Sequence, residues 1–134
     1  MNLDLDTVRI FLHVLAVTVC VGGQIVMLAI LPAVKSIDDK EIRASIPKAF
    51  QGIAWPAMAL AIFTGIWNTF AINIGDQPSS FHITFGIKFL LVIASGAGAL
   101  IHSKTTDPKV KGMTGALALG AGILAMFLGY TLGA

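Results

Sequence analysis

Two histidines, one cysteine and one lysine carry most of the chemistry open to the apolar part of this chain. On the first apolar stretch, His13, Cys20, Gln24, Met27 and Leu31 recur at steps of 7, 4, 3 and 4. At 100° per residue they fall within a stripe of about 60°. The stripe holds a nitrogen donor, a thiol, a thioether and an amide. Imidazole suits several transition metals, and sulfur ligands suit Cu(I). Cys20 on the first stretch and Met58 on the second, at a similar depth, make a candidate soft-ligand pair for copper. His13 and His82 make a candidate nitrogen pair, for a metal ion or for the iron of a haem b. No His-x-x-x-His or Cys-x-x-Cys spacing strengthens either set. Lys88 stands inside a segment with no other charge, from Thr84 to Ile101. An ionisable group in such a place marks a functional site or snorkels its amine to the nearest headgroups.

Other chemistries find no footing. The chain has no glycine-rich phosphate loop, no Ser-His-Asp set and no acid within any apolar stretch. The expectation is a protein that is not an enzyme. The net charge is +2 and the basic residues fall between the apolar stretches, so nucleic acid is not an expected partner. A single cysteine gives no internal disulfide and no cysteine-rich metal site.

Four elements have to position these residues. The chain has 134 residues, 56% hydrophobic and 12% charged, too few charges to cover a water-facing surface. Nearly uncharged runs at about 8–34, 50–74, 84–102 and 112–133 are each long enough to cross a hydrocarbon core of about 30 Å. The predicted fold is all-α: an integral membrane antiparallel four-helix bundle in a single domain, with the lipid bilayer as its surroundings. The first run is too long for a cleavable signal peptide and lacks a basic lead-in. Lys35, Lys40, Arg43 and Lys48 follow the first run, and Lys104, Lys109 and Lys111 follow the third. The intervening loop and the C-terminus carry no Lys or Arg, and the N-terminal tail carries Arg9. Positive loops face the cytoplasm, which predicts a cell-membrane protein with both termini outside.

Local signals refine the elements. Thr7 reads as the first N-cap, behind Asp4 and Asp6. The first span is expected to end near Pro32. The stretch 35–48 reads as a short surface helix broken by Pro47, and Ser80 as the cap of a lead-in to the third span. Glycines and alanines at four-residue spacing bring membrane helices close. On span four Ala116/Gly120, Ala118/Gly122 and Gly129/Gly133 have that spacing. Gly22 and Gly23 are expected to pack span one, and span four is expected to meet its neighbours through Gly115, Gly122 and Gly129 or through Ala116 and Gly120. Counting depth along each helix at about 1.5 Å per residue puts His13, Asn68, His82, Lys88 and Tyr130 toward one end. They are expected to line an outer polar pocket. A second stripe, Lys88, Ser95 and His102, runs down span three at steps of seven.

The segment His13-Val14-Leu15, followed by Gly22-Gly23 and Pro32, resembles the opening span of CopD-type copper-resistance membrane proteins. Phe50, Ala54-Trp55-Pro56-Ala57 and Thr64-Gly65-Ile66-Trp67-Asn68 are similar to the next span of their short relatives. Phe81-His82-Ile83-Thr84-Phe85-Gly86-Ile87-Lys88 resembles the third. The larger members have about twice as many spans, and a Trp commonly stands where this chain has Cys20-Val21. The resemblance implies copper handling, by binding or uptake, at the cytoplasmic membrane. It points to His13, Gly22, Gly23, Gly65, Gly86 and Lys88. Two other readings stand beside it: a small accessory subunit of a larger membrane complex or homo-oligomer, and a haem b protein.

Overall fold

A computed structural model describes residues 3–133. Among them are four long helices and a single 3-10 turn at Ile74–Asp76, with no strand. The helices are α1 (Leu5–Lys35), α2 (Lys40–Ala71), α3 (Ser79–Lys104) and α4 (Pro108–Gly133). Each is long and apolar enough to cross a membrane. The chain divides into two compact units, Met1–Ile74 and Gly75–Ala134, each built on a pair of helices.

The caps explain where the helices begin. Asp4, not Thr7, caps α1: its carboxylate accepts from the Thr7 amide at 2.8 Å and from the Thr7 hydroxyl at 2.7 Å. Asp4 has the extended backbone of a cap, and its carboxylate has lone pairs enough to accept from both Thr7 donors at once. Those two bonds hold the exposed Asp4 carboxyl below its ordinary range. Asp39 caps α2 by accepting from the amides of Glu41 and Ile42. Asp107 does the same for α4 through Lys109 and Val110, with Pro108 as the first helical residue. At α3 the N-cap is Pro78, not Ser80, and no side chain caps the turn.

Pro47 does not break a separate surface helix. It lies with Pro56 inside one continuous α2 of 32 residues, and Pro32 lies inside the last turn of α1. A proline inside a helix deletes one backbone bond and pushes on the preceding turn. Membrane helices absorb this by local adjustment. The connection between α1 and α2 shrinks accordingly to residues 36–39, tied down by Arg43 Nη1 donating to the Ile37 carbonyl at 3.2 Å.

In the first unit, contacts descend α2 as they ascend α1. Arg9 meets Asn68, His13 meets Thr64 and Gly65, Cys20 meets Ala54, and Gly23 meets Phe50. The second unit repeats this order: Lys88 meets Gly129, Ser95 meets Ala118, and His102 meets Gly115 and Lys111. The stripe of Lys88, Ser95 and His102 is thus the face of α3 that packs on α4. On α4 that contact uses Gly115, Ala118 and Gly129, while Ala116 and Gly120 are exposed. Backbone meets backbone at Gly98, where an added Cβ would lie 3.0 Å from both the Ala118 nitrogen and the Thr114 oxygen.

Candidate functional site

Arg9 is the residue that the sequence least suggested. Counted as a charge of the N-terminal tail, it instead lies inside α1, 6% exposed. Its Nη1 donates to Asn68 Oδ1 at 2.6 Å and its Nη2 to Asp6 Oδ1 at 3.0 Å, while its Nε is buried without a partner. A charge can be held in such a place only when paired and hydrogen-bonded. Asn68 bridges to it from α2, and Asp6, largely exposed, supplies the counter-charge. A signal for this was present. Arg9 is one turn before His13 and falls inside the same 60° stripe, which could have been extended outward by four residues.

One turn further in, His13 Nδ1 lies 2.9 Å from Thr64 Oγ1. Thr64 is fully buried, and its hydroxyl is also 2.7 Å from the Leu60 carbonyl and 3.2 Å from that of Ala61. Carbonyls only accept, so the single hydroxyl proton points to the backbone and Oγ1 accepts from His13. That assignment from the hydrogen-bond network puts the proton on Nδ1. In the neutral imidazole the lone pair then sits on Nε2. Gly65 makes room for the ring: a Cβ there would stand 3.3 Å from His13 Cε1. Thr69 donates to the Gly65 carbonyl at 2.9 Å and steadies the same turn.

The remaining expected residues fall into place around this ladder. Cys20 is buried two turns below His13, its thiol 3.7 Å from the Ala54 carbonyl. Met58 stands half-buried one turn beyond Ala54, on the flank of the packed face of α2. Gln24 is half-buried on the stripe of α1. Gly23 lies so close to the Phe50 ring that a side chain there would displace it, whereas Gly22 has open space beside it. His82, Gly86, Lys88 and Gly122 belong to the second unit. His82 is exposed in the first turn of α3, edge-on to the Phe81 ring, and Gly86 is exposed with open space. Gly122 is half-buried on α4.

Comparison with protein-family models, with curated proteins and with solved structures finds no match. Among the described residues, no three His, Cys, Asp or Glu side chains gather as a metal cluster. The first unit offers instead a graded line down α1: a guanidinium paired with a carboxylate and an amide, then an oriented imidazole, then a thiol.

Proposed function

We propose that this chain is a multi-pass protein of the cytoplasmic membrane that handles copper as its cargo. In this reading the four helices form an antiparallel bundle with both termini outside. The supporting observation is the orientation of His13. A hydrogen bond that fixes one ring nitrogen is what orients metal-binding imidazoles in general. Thr64 supplies that bond here. Cys20 follows on the same face of α1, seven residues or about 10 Å further in. Nitrogen followed by sulfur suits Cu(I) moving inward. The Asp6–Arg9 pair nearly cancels as a unit, so an arriving cation meets a dipole and not a bare positive charge.

The test is metal content of the full chain purified in mild detergent after anaerobic loading with Cu(I). The expected result is stoichiometric copper in the wild type, lost in His13→Ala and reduced in Cys20→Ser. Wild-type protein that holds no copper, or a His13→Ala variant that holds as much, removes the copper reading. A Soret band in the same sample would replace it with haem b.

A further inference from the structure

Lys88 sits half-buried in α3 with no acid and no hydrogen-bond acceptor paired to it among the described residues, where Arg9–Asp6 is the ion pair. Its surroundings give it space and a direction. The amine lies over Gly129 of α4: a Cβ built there would be 3.1 Å from Nζ and 3.3 Å from Cε. The register set by Ser95 on Ala118 places Gly129 opposite a position closer than Lys88 to the start of α3. The side chain therefore leans toward the N-terminal end of its helix, as helical side chains do.

At that end, a shallow groove of about 270 Å³ opens between the two helices, lined by Ser80, Phe81, Thr84, Thr131 and Leu132. Ser80, Thr84 and Lys88 follow one another at steps of four, so they form one row on α3. The Thr84 and Thr131 hydroxyl protons are spent on the Ser80 and Leu128 carbonyls, whereas among the described residues no hydrogen bond engages that of Ser80. With no carboxylate in the row, the groove carries the hydroxyls of Ser80, Thr84 and Thr131, and Lys88, one turn below Thr84 in the same row, leans toward it. The uncapped first turn of α3, behind Pro78, adds its positive end from above.

We propose that this groove binds a phosphate-type oxyanion, held by the Lys88 ammonium and the Ser80 hydroxyl, with Gly129 kept free of a side chain to let the ammonium through. The same chemistry is presented by a phospholipid headgroup and by free phosphate. The proposal does not rest on the copper reading, and metal content is not its readout.

The experiment uses the full chain in mild detergent with two probes. One is retention of phosphatidylglycerol against phosphatidylcholine, read by native mass spectrometry. The other is thermal stabilisation by inorganic phosphate against chloride at equal ionic strength. Wild-type protein is expected to respond to at least one probe, and Lys88→Met to weaken that response about ten- to hundredfold, the loss of a bond to a charged group. Lys88→Arg keeps it. Gly129→Val moves the ammonium without removing its charge and should weaken the response as well, which covers the case of a misfolded Lys88→Met. Selective retention of phosphatidylglycerol identifies a headgroup, and a response to inorganic phosphate alone identifies a soluble ligand. No response to either probe by folded wild type, or an undiminished response in both Lys88→Met and Gly129→Val, overturns the proposal.

Discussion

The two units are both pairs of long helices, yet they are held together differently. In the first, polar side chain meets polar side chain across the interface, Arg9 with Asn68 and His13 with Thr64, while the Phe50 ring covers Gly23 and the Cys20 thiol reaches the Ala54 carbonyl. In the second, side chains meet backbone. Ser95 donates to the Ala118 carbonyl at 2.7 Å, and His102 Nδ1 donates to the Lys111 carbonyl at 2.7 Å. The small Ala118, Ala121 and Ala125 supply the buried face of α4. A pair keyed by polar side chains fixes its register residue by residue. A pair packed backbone on backbone depends on the absence of bulk, and it leaves the unpaired Lys88 available for other work.

Substitutions can break each scheme separately. The largest effect is expected at Gly98, where a new side chain has only backbone to push against. Gly98→Leu should separate α3 from α4 and cost about 3 kcal/mol or more, read as a fall in melting temperature in detergent. The counterpart, Gly120→Leu on the exposed side of α4, should leave that temperature nearly unchanged; equal losses would mean that the packed face is misassigned. Next comes Asn68→Leu, which strands a buried guanidinium nitrogen. The expected cost is about 1.5–3 kcal/mol, and Arg9→Met added to it should recover part of the loss. If the double variant is worse than the single one, Arg9 is not held by Asn68.

A smaller effect is expected from Thr64→Val, which removes the acceptor from His13 at nearly constant volume. Hydrogen bonds between membrane helices average about 0.6 kcal/mol, so stability should hardly move. The ring's proton should move instead. Nitrogen chemical shifts of His13 report the Nδ1–H tautomer in the wild type and in Thr64→Ser, and a mixture in Thr64→Val. A mixture already in the wild type would contradict the assignment. The smallest effect belongs to Asp4. Its carboxyl is held below its ordinary value of 3.8, so the cap contributes stability above that value and loses it as pH falls through the lowered one. Fraying at the start of α1, followed by amide exchange, should appear only in that acid window, and Asp4→Asn should flatten the dependence.

Much of this was legible in the sequence, for identifiable reasons. Uncharged runs of span length announce helices whatever their neighbours are, so all four were placed, with ends displaced by several residues. The seven-residue stripe on α3 also survived, because Lys88, Ser95 and His102 interrupt an otherwise featureless surface. Arg9 was missed because a charge near a terminus is read as solvated; nothing local reveals that Asn68, fifty-nine residues on, will take its hydrogen bond. The face of α2 that meets α1, carried by Phe50, Ala54, Thr64 and Asn68, had no distinct signature in the sequence. Large apolar residues point to lipid as readily as to a neighbour, so their periodicity in a membrane helix does not say which side is inside. The continuity through Pro47 escaped because a proline disfavours a continuing helix without forbidding one, so its presence alone does not locate a break.

That continuity has a mechanical side. With 32 residues at about 1.5 Å each, α2 is a rod of about 48 Å, against a hydrocarbon thickness of about 30 Å. The surplus of about a dozen residues matches the stretch that carries Lys40, Arg43 and Lys48. The basic end of α2 is thus a handle rigidly joined to the shaft that carries Thr64 and Asn68, with proline joints only at positions 47 and 56. A tilt of the handle would carry with it the grip on Arg9 and His13, to the extent that the two prolines pass it on.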